Sequence, residues 1–122
     1  MGMSFKKKLQ NIPPSWRAIV FLWREEWSFY VLAVCGAVVL GASYFLGVTQ
    51  TEFQILILVV GAVLAVEALN TALEELCDHV TPEEHPNIGR VKDLGSGATL
   101  LMLLAALAIG LIIFVPYILR LV

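Results

Sequence analysis

The sequence predicts an all-α integral membrane protein: an N-terminal amphipathic surface helix, then three transmembrane helices of a helix bundle. Three observations carry that prediction. Of the 122 residues, 59% are hydrophobic, against roughly 45–50% in an ordinary soluble domain. Charged residues make up 15% and gather in two clusters, Lys6 to Glu26 and Glu67 to Asp93. Outside the clusters lie three apolar stretches long enough to cross a bilayer, so residues 1–122 read as one small membrane domain.

The surface helix is expected over about residues 3–27. Phe5, Leu9 and Ile12 are apolar at i, i+4 and i+7 beside Lys6, Lys7 and Lys8, a pattern suited to an anionic membrane surface. Pro13-Pro14 breaks the pattern, and Ser15 is a candidate cap for the next helical piece. Trp16, Ile19, Val20 and Trp23 then mark one face, as an interfacial aromatic belt would. The first span is expected at about 29–48, where Ala33, Ala37 and Gly41 form a small-residue stripe open to close helix approach. Gly47 to Gln50 reads as a tight turn, and Thr51-Glu52-Phe53-Gln54 as a capping box. The second span is expected at about 51–78, longer than the ~30 Å hydrocarbon core, so its end must stand at a membrane face. A polar loop is expected over 79–92. The third span is expected over 93–119, with Ala106 and Gly110 as a second close-packing pair.

Five Lys and Arg precede the first span, none lies in the first loop, two lie in the second and one ends the chain. The positive-inside rule therefore places the N-terminus and the 79–92 loop in the cytoplasm. No cleavable leader is apparent, and the first span is expected to serve as the insertion signal. A net charge of −2 speaks against nucleic acid as a partner, which wants a basic face.

The chemistry concentrates in Glu67-Ala-Leu-Asn70-Thr-Ala-Leu-Glu74-Glu-Leu-Cys-Asp78. Glu67, Asn70, Glu74 and Asp78 share one helical stripe at the end of a charge-free run from Phe53 to Val66. Carboxylates at such a place are costly and mark function by default. The stripe fits a metal site, a proton path or a solvated helix end. Oxygen ligands without a His/Cys cluster favour Mg²⁺, which takes one or two carboxylates plus phosphate oxygens, and Glu26 with Glu74 could supply the pair. Lys92-Asp93, with Gly95-Ser96-Gly97 just after, offers a cation for a phosphate and a backbone that can be approached closely. It equally reads as a plain helix start. No Walker loop, protein-kinase signature, Ser/His/Asp set or zinc spacing is present. Cys35 and Cys77 read as small apolar packers, and His79 and His85 as loop residues on spacing alone.

These residues resemble a family. The Glu67–Asp78 segment is similar to the signature of the prokaryotic diacylglycerol kinases, a family that includes undecaprenol kinases. The likeness extends to Gly89-Arg90-Val91-Lys92-Asp93-Leu94-Gly95-Ser96, to Glu83 and His85, and upstream to Ser15-Trp16 and Trp23-x-x-Glu26. It implies a three-span lipid kinase whose helix bundle is oligomeric, a homotrimer with active sites shared between subunits, using ATP and Mg²⁺ at the cytoplasmic face of a bacterial inner membrane. It also implies roles. Glu67 would be the general base, and Glu26 and Glu74 would hold Mg²⁺. Glu83, His85, Lys92 and Asp93, with Glu26 and Glu74, would bind nucleotide. Trp16, Asn70 and Ser96, with Glu67, would meet the lipid.

Two positions depart from the diacylglycerol-type pattern. Leu32 stands where those members carry another acid, and Lys7 replaces an arginine, keeping the charge without the fork. The tail Gly110-Leu-Ile-Ile-Phe-Val-Pro116 and the His85-Pro86 pair are closer to the undecaprenol kinases. The expected function is phosphorylation of a membrane lipid alcohol, diacylglycerol ahead of undecaprenol. The rival from another class is a small oligomeric channel or ion carrier whose acidic stripe lines a cation path.

Overall fold

A computed structural model describes residues 7, 11, 13–80 and 86–122. Among these the chain is helical with no strand: α1 (Pro14–Glu25), α2 (Trp27–Leu46), α3 (Gln50–Val80) and α4 (Pro86–Leu121). The last three are each long and apolar enough to cross a membrane. The chain is a multi-pass membrane protein. The Phe5, Leu9 and Ile12 stripe lies outside the described residues, as do Glu83 and His85.

Helix α1 opens on Pro14 at its first position, and Pro13 accepts backbone bonds from Trp16 and Arg17 at 3.0 and 3.1 Å. Ser15 therefore sits inside the helix and does not cap it. A proline at the first turn brings a preset φ and no donor to satisfy, which removes the need for a side-chain cap. The helix ends at Glu26, whose extended backbone (φ −109°, ψ 104°) turns the chain into α2. Both backbone groups of Glu26 stay satisfied, its N–H by Leu22 at 3.1 Å and its carbonyl by Tyr30 at 3.0 Å. The break is thus a stable corner.

Helix α2 stops at Gly47, which alone among the described residues has positive φ (72°). Gly47 N–H donates to Tyr44 and Val48 N–H to Ser43, the paired closure of a Schellman motif. The capping box lies two residues earlier than the sequence suggested. Thr49 N–H donates to Glu52 Oε1 at 2.9 Å, and Glu52 N–H to Thr49 Oγ1 at 3.1 Å. Thr49-x-x-Glu52 and Thr51-x-x-Gln54 both satisfy the pattern. The turn ends at Val48, so Thr49 is first to reach the free N–H groups.

At 31 residues α3 is roughly 46 Å long, and at 36 residues α4 is roughly 54 Å. The expected 79–92 loop is mostly helix, since α3 runs to Val80 and α4 begins at Pro86. Its polarity reflects helix ends that project past the apolar layer. Helix α3 is the central element, packed on both α2 and α4.

Within the chain, close approach comes from glycines outside the expected stripes. A Cβ on Gly36 would lie 2.6 Å from Val60 Cγ1, and one on Gly95 would lie 2.5 Å from Asn70 Oδ1. Gly41 and Gly110 meet nothing within 4 Å. Small residues occur on several faces of these helices, and packing selects which ones touch. Ala106 and Gly110 instead line an apolar groove of about 480 Å³ between α2, α3 and α4. At the opposite end from Glu67, Tyr117 OH donates to Glu52 Oε1 at 2.5 Å and ties α4 to α3.

Candidate active site

Glu67 lies past the middle of α3, where the charge-free run gives way to the acidic end, and is buried, 7% exposed. Its carboxyl has one hydrogen-bond partner among the described residues. Ser28 Oγ, from the first turn of α2, donates to Oε1 at 2.7 Å. Thr71, one turn on, returns its hydroxyl to the Glu67 backbone carbonyl at 3.1 Å and keeps its own polarity inside the helix. An acid in an apolar layer is costly unless it is hydrogen-bonded, and this one is.

The next members of the stripe look toward α4. Asn70 Nδ2 donates to Glu74 Oε1 at 3.3 Å. Its Oδ1 is buried without a hydrogen-bond partner and lies against Gly95 of α4, where any side chain would collide with it. At the end of the stripe Asp78 Oδ1 accepts from Lys92 Nζ at 2.5 Å. Lys92 therefore pairs with Asp78 across the two helices, and not with its neighbour Asp93. The stripe thus bridges its two flanking helices, with Glu67 held by α2, and Asn70 and Asp78 meeting Gly95 and Lys92 of α4.

Glu26 is half-buried at the α1–α2 corner. It lines a cavity of about 370 Å³ with Trp23, Arg24, Glu25, Trp27 and Tyr30. Tyr30 packs between two indoles, its ring centroid 4.7 Å from that of Trp23 and 5.9 Å from that of Trp27. Sequence reasoning missed Ser28, Trp27 and Tyr30. A signal was present only for Trp27 and Tyr30, whose i, i+3 spacing stacks rings on one face of α2; Trp23 belongs to α1 and reaches Tyr30 across the corner at Glu26. Trp16 stands 61% exposed on α1. Ser96 and Asp93 are exposed on α4, beside Gly95 and Lys92. Glu26 and Glu74 share no hydrogen-bond partner among the described residues. Cys77 is buried and Cys35 exposed, both as free thiols.

The class these features define is a helical membrane protein that keeps a hydrogen-bonded acid at the end of its apolar layer, with an acid–amide–lysine row beyond it. Known proteins narrow the class. The sequence profile of the prokaryotic diacylglycerol kinases matches residues 14–114. The undecaprenol kinase of Bacillus subtilis is 31% identical over 92 residues, covering 75% of this chain and 73% of that protein. The diacylglycerol kinase of Escherichia coli K12 is 33% identical over 92 residues, covering 75% of each. That of Pseudomonas aeruginosa is 36% identical over 75 residues, 62% of this chain and 61% of its own. The chain belongs to the prokaryotic diacylglycerol kinase family.

Proposed function

We propose that the chain is a lipid kinase that transfers the γ-phosphoryl group of ATP to the hydroxyl of diacylglycerol, giving phosphatidic acid. The observation that carries this reading is Glu67. It is a single buried carboxylate, hydrogen-bonded through one oxygen, at the end of an apolar span where a lipid hydroxyl would arrive. The lipid oxygen bonds to the γ-phosphorus as the bond to the bridging oxygen breaks. The hydroxyl proton passes to Glu67 and ADP departs. Such a transfer asks the protein mainly for alignment and charge neutralisation.

Lys92 is the cation for the phosphates, held ready by Asp78, with Asp93 beside it. Glu83 and His85, outside the described residues, complete the nucleotide contacts in this reading. Trp16, Asn70 and Ser96 flank the lipid headgroup. The unpartnered Oδ1 of Asn70 supports that assignment, because a buried acceptor without a donor is costly until a ligand hydroxyl supplies one.

For Mg²⁺ the donor set fits. Among the described residues no three His, Cys, Asp or Glu side chains gather into a metal cage. Mg²⁺ bound to nucleotide needs no such cage, since it takes one or two carboxylates and keeps phosphate and water as its other ligands. Glu26 and Glu74 are the two oxygen donors proposed, and the ion would neutralise phosphate charge.

The active unit is a homotrimer in which neighbouring chains complete each site, set in a bacterial inner membrane with the Glu67 end facing the cytoplasm. The 480 Å³ apolar groove and the outward-facing Ala37 and Gly41 leave surface for neighbouring helices and support that assembly. Undecaprenol is the alternative lipid, favoured by the likeness to the Bacillus subtilis enzyme.

The test is turnover in mixed micelles containing ATP, Mg²⁺ and either lipid. Phosphatidic acid should form, and Glu67→Gln should abolish it while the protein stays folded. Product from undecaprenol alone would reassign the lipid. Cation flux in liposomes without phosphorylation of any lipid alcohol would replace the kinase with a channel.

A further inference from the structure

The Ser28–Glu67 bond is an unusual connection in this chain. Among the described residues it is the only side-chain hydrogen bond between α2 and α3, and it joins groups 39 residues apart. Ser28 is the second residue of α2, directly after the corner at Glu26. The cap position of α2 is Glu26, which makes no side-chain cap bond, and the Ser28 hydroxyl goes to Glu67. Ser28 itself is exposed, but Phe29, the next residue, and Val63, one turn before Glu67 on α3, are buried, so the backbone at each end of the bond is packed.

We propose that Ser28 is the positioning residue of the kinase reaction: its hydroxyl fixes the Glu67 carboxylate with Oε1 occupied, so that Oε2 faces the lipid hydroxyl. This inference rests on Glu67 acting as the base. A glutamate has three side-chain torsions, and a base must lie within about 3 Å of the proton it takes. One short donor bond to Oε1 removes most of that freedom. In the transfer, the lipid O–H bond breaks and its proton goes to Oε2. The new O–P bond forms as the γ-phosphorus leaves the bridging oxygen of ATP. Ser28 itself neither gains nor loses a proton. It also makes alignment depend on the α1–α2 corner, because Ser28 and Glu26 are two residues apart on one turn of chain.

A residue that only stabilises the packing would lower stability and leave the folded fraction fully active. The experiment separates the two roles by measuring kcat, KM for ATP and lipid, and melting temperature for Ser28→Ala, Ser28→Thr and Ser28→Cys in the full chain. Ser28→Ala should lower kcat by about tenfold to a hundredfold, as loss of a hydrogen bond to a charged group does. Both KM values should stay within about twofold of wild type, since ground-state binding is untouched. Ser28→Thr keeps the donor and should recover most of kcat, while Ser28→Cys, a weak donor, should fall between. Should Ser28→Ala fail to fold, the ordering of Thr above Cys in kcat carries the test alone.

Full kcat in Ser28→Ala, with Glu67→Gln inactive, would overturn the positioning role and leave the kinase intact. Equal kcat for Thr and Cys, with losses that track melting temperature, would likewise overturn it. A wild-type protein that phosphorylates no lipid alcohol would overturn both.

Discussion

Gly95→Ala gives a sharp test of the α3–α4 contact, because stability and activity should respond differently. The new Cβ would lie 2.5 Å from Asn70 Oδ1 and 3.3 Å from Leu73 Cδ1. Ordinary contact needs 3.4 Å or more, so about 0.9 Å of relief is required at Asn70. Both atoms end flexible side chains, and each can turn aside. The overpacking cost should therefore sit at the low end of about 1–3 kcal/mol. Replacing glycine by alanine within a helix returns about 1 kcal/mol, so the melting temperature should move by only a few degrees. Activity should not be spared. Swinging Asn70 aside breaks its 3.3 Å bond to Glu74 and moves the unpartnered oxygen. A misplacement near 1 Å costs on the order of a hundredfold in rate. The assay is lipid phosphorylation beside a thermal melt, with Gly97→Ala as control because a Cβ there meets nothing within 4 Å. Full turnover in Gly95→Ala would refute the assignment of Asn70 to the site.

Gly36→Ala should show the reverse pattern. Its Cβ would strike Val60 Cγ1 at 2.6 Å, and a β-branched residue in a helix cannot turn away, so roughly 1–3 kcal/mol of stability should go with kcat of the folded fraction kept. Gly47→Ala forces a Cβ into the left-handed region at φ 72° and should cost about 1–2 kcal/mol, read as a lower melting temperature without a change in KM. Tyr117→Phe removes the 2.5 Å bond to Glu52 and should lower the melting temperature while leaving turnover at the assay temperature unchanged, since the bond is at the end remote from Glu67. Asp78→Asn should loosen Lys92 and raise KM for ATP several-fold, with KM for lipid steady. Equal shifts in both constants would remove Lys92 from nucleotide binding.

Much of this was legible from the chain, for reasons of simple physics. Glu67 stood out because an acid at the end of the uncharged run from Phe53 to Val66 is rare enough to demand a use, and its burial agrees. Ser28 was invisible. A lone serine where a span begins is ordinary, and its pairing with Glu67 exists only once α2 and α3 are packed. The polar stretch before Asp93 read as a loop because composition separates water from lipid and does not separate helix from coil; Pro86 at the first position of α4 was the overlooked start signal. The small-residue stripes are likewise not the contacts made at Gly36 and Gly95 inside the chain. Periodicity finds faces that permit close packing, and only the fold reveals that Gly36 is occupied within the chain, while the close approach expected at Gly95 is made by Asn70. Thr49 and Thr51 both fitted a cap, and one turn's geometry chose between them.

Glu26 is a corner as well as a carboxylate, and the two properties cannot act separately. The residue proposed to grip magnesium is the one whose backbone sets the angle between α1 and α2. Seizing its side chain would stiffen that elbow, and reorienting α1 would drag the ligand with it. In that proposed role, nucleotide loading and the pose of the aromatic helix would be geared together, and a lipid environment that tilts α1 would be felt as a change in affinity for ATP.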